Sequence, residues 1–513
     1  MTSNQLDLSR KGNIISELNL MLASKTLILL FIILTSGFLR FWQLPERFWW
    51  GGVEGSFIWD IWYVAQGHPT LIGFESAAIG GLNFPPFLLY FLVPFFWLSG
   101  GNPIYIGIIV AILGVLTSVL FFLIGKQIFS LKVGLIAALI YAFSSQAISI
   151  DHKFIGGTFM IPVSLLVIFL LWQIYQKQQL KAIDLVILGS LIGLSFSAHY
   201  QAIFIFAAVF LFLILAKKQF LSIKNVLFFI ISAIFWLTPL LLFDLRHDFY
   251  HFKGFITLLT GYTNFSLASG ILVSGQYLLQ NFLGLFWQPA YSFKFANFGV
   301  LPILAIIFAI SAIFYFLLWG QKSLAKFKPI FFYFAILFLL GFGILSFYRS
   351  GDYQFDYYYW YLVPPSIFLV ALVLDWFFKK RMVFITLALL AAFLVVNLVN
   401  FSNFTPTEPY NLVNQNIQII LADSKNRNLD QIKVGFLGTE VGPYDYLFYW
   451  YSKKFGIAPS KIVLISQREQ YQERNILGSG QAPIKILPKS AGANLKPNYQ
   501  VTASGVQILA SNF

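Results

Sequence analysis

Cysteine is absent from these 513 residues, so the chain has neither a disulfide framework nor a thiolate metal site. Charge is scarce as well. Asp, Glu, Lys and Arg supply 11% of the residues, against about a quarter in an ordinary soluble domain. The five histidines show neither an HExxH pattern nor paired spacing, which leaves little from which to build a zinc site. What fills the chain instead is apolar: 58% hydrophobic, 19% aromatic, 59 phenylalanines, and a mean hydropathy of +0.76. Lipid must replace water over much of such a surface. The formal charge of +14 would suit nucleic acid if basic and aromatic residues formed a recognition module. They are spread as short clusters between apolar runs, as membrane insertion requires, and no nucleic-acid partner is expected.

The first apolar run, Thr26 to Trp42, follows Arg10, Lys11 and Lys25. It has no small-residue cleavage site and ends in an aromatic edge, so it reads as a retained helix rather than a signal peptide. A spanning helix needs about 20 mostly apolar residues. Candidates run over 26–43, 104–125, 133–150, 157–176, 182–198, 200–217, 222–243, 298–319, 328–347, 361–378 and 382–400. The segment 84–99 is ambiguous, being short and carrying Pro94 in its middle.

Positive charge decides how to treat that segment, because cytoplasmic loops are enriched in Lys and Arg. If 84–99 does not span, one side holds Arg10, Lys11 and Lys25; Lys126 and Lys132; Lys177 and Lys181; Lys217, Lys218 and Lys224; Lys322, Lys326 and Lys328; and Lys379, Lys380 and Arg381. That makes about sixteen basic residues inside against about seven on the outer loops. Letting 84–99 span would invert every later loop. It is therefore read as a re-entrant or interface-lying helix.

The expected fold class is an all-α polytopic membrane protein of about eleven transmembrane helices, followed by a small C-terminal α/β extracytoplasmic domain. The divisions are a cytoplasmic N-terminus at 1–25, a transmembrane region at 26–401 and an outer domain at 402–513. Within the transmembrane region, 44–103 forms a first outer loop with interface helices and 244–297 a second large one. After about Ser402 membrane-length runs vanish. Val434–Leu437 and Ile462–Ile465 read there as buried strands, and Asn411–Ala422 alternates at helical spacing.

This topology gathers the unusual polar clusters on the outer side: Glu54 and Asp60; Asp151-His152-Lys153; His199-Tyr200-Gln201; Asp244-Leu245-Arg246-His247-Asp248; and Tyr348-Arg349-Ser350-Gly351-Asp352. Acidic residues and histidines face outward while plain lysines face inward, which places the chemistry at the outer face. Glu54 stands out, in Trp49-Trp50-Gly51-Gly52-Val53-Glu54, just where the chain leaves its first span. Few other residues are available for acid–base work.

An amino-terminal helix leads to a long outer loop with an early acid. Pro85-Pro86-Phe87-Leu88 runs to Leu98-Ser99-Gly100-Gly101-Asn102, then comes a Gly125-Lys126-Gln127-Ile128-Phe129-Ser130 turn, and a polar cluster where the third span emerges. Over roughly residues 26–400 this resembles the membrane glycosyltransferases of the GT-C class, in particular the protein O-mannosyltransferase, aminoarabinose transferase and rhizobial lipopolysaccharide sugar-transferase groups. The resemblance implies a GT-C-like architecture and an inverting transfer, at the outer face, of a sugar from a polyprenyl-phosphate carrier to an acceptor hydroxyl. The acceptor is a glycan, a lipid or a protein. It implies a multi-pass protein of a bacterial plasma membrane, and it implies Glu54 as general base. Val53 stands where the family often has the first acid of an Asp-Glu pair. The acid is then single, and no paired-carboxylate metal or other cofactor is expected.

A carboxylate placed to take the acceptor proton contributes about 10²–10⁴-fold, and fixed cations stabilise a departing lipid phosphate. Candidate phosphate ligands are Lys153, Arg246 and Arg349, with His152, His199 and His247 as donors. Trp49, Trp50, Asp60, Asp151, Tyr200 and Tyr358 are candidates for holding sugar or acceptor. Each has a plainer reading. Glu54 can charge the start of an interface helix. Arg246 can pair with Asp244 or Asp248, Asp375 can meet Lys379 one turn on, and Tyr357–Tyr361 can form an interfacial aromatic belt. Three other functions fit a chain of this class. A flippase or transporter of lipid-linked sugars would show inverted repeats and mid-membrane charges, and neither is evident. A polysaccharide polymerase or ligase would be expected to concentrate its site in a late outer loop. A non-catalytic scaffold displaying the outer tail would be indifferent to Glu54→Gln.

Overall fold

The computed structural model describes residues 26–76, 82–260, 267–286, 326–347, 356–406, 408–437, 441–466, 475–476, 480–481, 484–487, 497–502 and 505–508. The span expected over 298–319 and the cation Arg349 lie outside the described residues.

Long runs without charge form helices because lipid offers no partner to a backbone N–H or C=O. The chain is an integral multi-pass membrane protein. Its first element is α1, Thr26–Phe41, followed by one turn, α2, Leu44–Arg47. Then come α3, Gly52–Ala65; α4, Phe87–Leu98; α5, Ile104–Ile128; α6, Leu131–Phe143; α7, Ser145–Ile150; and α8, Gly156–Gln176. They continue as α9, Ala182–Ser195; α10, Ala202–Ala216; α11, Ile223–Phe235; α12, Thr238–Arg246; α13, Tyr250–Thr260; and α14, Leu267–Phe286. The bundle ends with α15, Lys328–Phe347; a 3₁₀ stretch, Asp356–Leu362; α16, Val363–Lys379; and α17, Val383–Asn403. Among the described residues five helices are long and apolar enough to cross a membrane, and α11 with α12 form a sixth candidate bent by 65°.

The run 133–150 is broken where it reads as one span. Ser144 ends α6 and caps α7, its hydroxyl accepting from the Ala147 N–H at 3.3 Å. That side chain replaces backbone bonds that the break removes.

α4 has 12 residues, about 18 Å of helix against a hydrocarbon core of ~30 Å. Both of its ends join the same layer. Phe84 stacks near His199 and Tyr200 at one end. At the other, Trp97 Nε1 donates to the Ala65 carbonyl at 3.2 Å, and Gly100 and Gly101 are bonded from Trp450 and Tyr446. α4 therefore does not cross.

The loops sort into two layers. In the lysine-rich one, Lys217 donates to the Lys177 carbonyl at 2.6 Å, Phe129 packs on Phe327, and Lys132 lies over the Phe378 ring. The opposite layer holds residues 42–76 and 82–103, the turns 151–155 and 196–201, the 3₁₀ stretch and the described residues of the C-terminal region.

That region begins with α18, Tyr410–Asn426, and β1, Ile432–Leu437; α19, Asp445–Phe455, then crosses to β2, Ile462–Ile465. A small hairpin, β3 (Asn475–Ile476) with β4 (Gly480–Gln481), precedes β5, Lys485–Leu487, β6, Tyr499–Thr502, and β7, Gly505–Ile508. The sheet order is β5-β2-β1-β6-β7, parallel except for the β6·β7 pair. β1 pairs Ile432 with Ile462 and Val434 with Leu464. β2 is buried at every position, which is why it reads as an unbroken apolar run. The core under this sheet does not stop at residue 402. One cluster joins Ile432, Leu447 and Trp450 to Phe57, Trp59 and Phe96 of the first loop and to Tyr105 of α5. α3 packs so close that a Cβ on Gly55 would strike the Gly442 carbonyl.

Candidate active site

Glu54 occupies the third position of α3, where its Oε2 accepts from the Gly51 N–H at 3.0 Å, the half of a capping box that a glycine N-cap allows. Gly51 is required there. A Cβ on it would lie 2.6 Å from the Trp49 indole nitrogen and 3.2 Å from the Glu54 carboxylate. The start of the helix is pinned from two sides. The Trp49 N–H donates to the His152 carbonyl at 2.9 Å and the Trp50 N–H to the Glu408 carbonyl at 3.0 Å. Trp50 is fully buried, its indole N–H donating to the Pro443 carbonyl at 2.6 Å.

The plain reading of Glu54 as a helix-start acid is thus realised, but in an unusual setting. The side chain is 2% exposed. Burial pushes its carboxyl from the usual carboxylate range up to about 7, outweighing the backbone N–H groups and the Lys153 ammonium, which act the other way; Glu408 adds to the rise. Lys153 stands over the Trp49 ring, 5.4 Å from its centre. A carboxyl near neutrality at the start of a helix in the layer opposite the lysine-rich loops suits proton transfer.

Asp151 and His152 have a different fate. Asp151 Oδ2 receives the Arg40 Nε–H at 2.7 Å, and the Tyr141 hydroxyl donates to the same carboxylate at 3.0 Å. The remaining Arg40 donors reach Ser36 Oγ and the carbonyls of Tyr141 and Ala142. His152 donates from Nε2 to the Arg40 carbonyl at 2.8 Å, while its buried Nδ1 has no partner among the described residues. Burial, aided by the guanidiniums of Arg40 and Arg47, lowers its imidazole to about 4. The expected roles are corrected accordingly. Asp151 is engaged by Arg40 and Tyr141 rather than open to a sugar, Trp50 has no exposed face, and His152, expected as a donor to phosphate, gives its Nε2–H to the Arg40 carbonyl.

The next turn brings His199 and Tyr200 alongside. His199 Nδ1 accepts from the Gln201 N–H at 3.1 Å, and its ring meets Phe84, Tyr357 and Tyr358. One edge stays open, yet burial in this aromatic box holds the imidazole down to about 3. The Tyr200 hydroxyl donates to the Asn83 carbonyl at 2.6 Å. Gln201 Nε2 donates to the Tyr357 carbonyl at 2.6 Å, fixing the 3₁₀ stretch. That stretch is no interfacial belt: Tyr358, Tyr359, Trp360 and Tyr361 are all at most 5% exposed. Phe154 links the parts, packing on Phe57 and Phe74.

Asp60 is half-buried on α3, about 120° around the helix from Glu54. Arg246 and His247 are exposed at the end of α12, and no hydrogen bond or ion pair joins them to Glu54 among the described residues. His247 is turned to its own helix, 2.8 Å from the Phe243 carbonyl. Asp244 pairs with His251 at 2.6 Å rather than with Arg246, whereas Asp375 does meet Lys379, also at 2.6 Å. Among the described residues no three His, Asp or Glu side chains converge as a metal site.

Sequence reasoning passed over Arg40, Gln201 and Glu408. Arg40 carried a usable signal: an arginine inside an apolar run, with a lone acid at the end of a later run. Glu408 carried none.

A sequence model of the family described as dolichyl-phosphate-mannose-protein mannosyltransferase matches residues 83–243, under a third of the chain. No curated protein sequence matches it. Among solved structures, ArnT from Cupriavidus metallidurans bound to undecaprenyl phosphate is similar at a TM-score of 0.58 and 13% identity, covering 92% of each chain. Its apo form gives 0.58 at 12%, over 95% of this chain and 93% of that one. The archaeal oligosaccharyltransferase AglB from Archaeoglobus fulgidus, in complex with an inhibitory peptide and a dolichol-phosphate, gives 0.50 at 14%, over 93% of this chain and 69% of that one. At such identities the likeness is one of fold, and the fold is that of the GT-C class membrane glycosyltransferases.

Proposed function

We propose that this chain is a GT-C glycosyltransferase that moves a sugar from a polyprenyl-phosphate carrier to an acceptor hydroxyl, with inversion, at the outer face of a bacterial plasma membrane. The N-terminus is then cytoplasmic and the C-terminal sheet extracytoplasmic. The observation that carries the reading is Glu54, 2% exposed, with a carboxyl pushed up to about 7, in the layer opposite the lysine-rich loops.

Three things lend support: the fold shared with proteins solved with undecaprenyl phosphate or dolichol-phosphate, the family match over residues 83–243, and an apolar cleft of about 220 Å³. Phe282, Phe338, Leu369 and Phe377 line that cleft, a surface suited to an isoprenoid tail.

In this mechanism Oε2 of Glu54 stays bonded to the Gly51 N–H while Oε1 takes the acceptor proton. The acceptor oxygen bonds to the anomeric carbon from the face opposite the phosphate. The bond from that carbon to the phosphate oxygen breaks, and its electron pair leaves with the lipid phosphate. Lys153 is the nearby cation for that charge. His199 and Tyr200, both half-buried beside Phe84, are the candidates for the sugar side.

The test is to incubate purified protein with a panel of radiolabelled polyprenyl-phosphate sugars. Transfer or donor hydrolysis by the parent chain, lost in a folded Glu54→Gln variant, is expected. Absence of turnover with every donor, from folded protein, overturns the reading.

A further inference from the structure

About 12 Å along α3 from Glu54, eight residues on, Trp62 forms part of a second cavity. It lies between α3, the Gly100–Gly101 turn and α19, and holds about 300 Å³, the lower end of the range for small-ligand sites. Its wall is built of aromatic rings already locked in place. Trp62 meets Tyr449 edge-on at 5.4 Å, and Trp59 backs both, at 5.4 and 5.2 Å. The Trp450 indole donates to the Gly100 carbonyl and the Tyr446 hydroxyl to the Gly101 carbonyl, each at 2.9 Å. Gly101 sits at φ +78, which only a glycine adopts cheaply.

The rim is cationic. Lys453 donates to the Tyr449 hydroxyl at 2.5 Å and keeps two further N–H donors; Lys454 stands 3.6 Å above the Trp450 ring. Both are exposed, and neither forms an ion pair among the described residues. Exposed Gln66 adds an amide.

A rigid aromatic wall takes the flat face of a sugar ring. An amide takes its hydroxyls, and two unneutralised ammonium groups call for an anion. We propose that this cavity binds one acidic sugar residue of a glycan, its ring against Trp62 and Tyr449 and its anionic group between Lys453 and Lys454. The binding stands apart from proton transfer at Glu54 and is measurable whether or not the chain transfers sugar.

The test uses the full-length protein in detergent and in phosphatidylcholine nanodiscs. Probes are a glucuronate-containing tetrasaccharide, its carboxyl-reduced neutral counterpart, inorganic phosphate, and a glucuronosyl diacylglycerol placed in the nanodisc. Saturation-transfer NMR and calorimetry should show the acidic tetrasaccharide bound about tenfold more tightly than its neutral counterpart, and more weakly as salt rises. Lys453→Gln/Lys454→Gln should erase that preference without changing Tm, and Trp62→Ala should weaken both sugars. Binding of the free tetrasaccharide assigns a soluble glycan; binding only of the lipid-borne headgroup assigns a membrane glycolipid. No binding of either, equal binding of the neutral sugar, phosphate binding as strong as the sugar's, or indifference to the lysine pair overturns the proposal.

Discussion

Two buried carboxylates lie within one hydrogen-bonded stretch of each other, one at the mouth of α3 and one in the turn between α7 and α8, and they do opposite things. The Trp49 N–H donates to the His152 carbonyl, so Glu54 and Asp151 share a neighbourhood. Both are at most 2% exposed. Asp151 has a guanidinium and a phenol on its oxygens. Glu54 has a backbone N–H and the field of Lys153. Burial strips hydration from both and pushes both carboxyls up, Glu54 to about 7 and Asp151 to about 6, but only Asp151 has a guanidinium in contact to hold its charge. What distinguishes the proposed base from the anchor is therefore the partner rather than the depth. The sequence lists both as outer-face acids and cannot tell them apart.

The largest effect should come from Glu54, the member without a partner charge in contact. Glu54→Gln keeps an acceptor oxygen for the Gly51 N–H but cannot take a proton. Turnover with a labelled lipid-phosphate sugar should fall about 10²–10⁴-fold while Tm does not fall. If Asp151→Asn gave that loss with the fold intact while Glu54→Gln did not, the comparison would be reversed.

Next comes the satisfied pair. Arg40→Leu strands a buried carboxylate and should destabilise the protein by about 3–5 kcal/mol, read as a lower Tm in detergent. The double variant Arg40→Leu/Asp151→Leu removes both charges and should recover most of that loss. A single variant no worse than the double would mean that the two side chains do not meet.

The comparison also marks what could be read without coordinates. Apolar runs and charge bias suffice for helices such as α5 and α8, because a lipid-facing helix has only one way to satisfy its backbone. β2 was legible as a short all-apolar run and α18 by its helical alternation. Legibility fails where contacts are distant in sequence. Arg40 and Asp151 are 111 residues apart, and Trp50 meets Pro443 across 393. Tyr357–Tyr361 has a composition that fits a headgroup belt equally well, and only the packing of α8 and α10 against it decides for burial. Gln201 anchors that stretch through a backbone carbonyl, a contact no motif announces.

A smaller effect follows from linkage. The Glu54 carboxyl is raised to about 7 from 4.5, so folding binds its proton more tightly than the unfolded chain does. The stability this contributes is complete below about pH 4.5 and is lost as pH rises through about 7. Glu54→Gln has no such loss. Its Tm should match the parent at pH 4.5 and exceed it at pH 8, by a margin on the order of 3 kcal/mol at most. A constant difference across that window would mean the carboxyl titrates normally.

The smallest expected change is also the most discriminating. Lys153 lowers the Glu54 carboxyl electrostatically, and it is the candidate cation for the departing phosphate. Those two roles predict different pH behaviour. If Lys153 acts only by tuning the base, Lys153→Gln lets the carboxyl rise further. The acid limb of kcat/KM, which climbs as Glu54 loses its proton near pH 7, then moves to higher pH. Activity at pH 7 falls a few-fold and returns at pH 9. If Lys153 also holds the phosphate, the loss persists on the alkaline plateau, where Glu54 is ionised in both proteins, and KM for the lipid donor rises. One pH profile of one variant thus separates a charge that prepares the base from a charge that receives the leaving group.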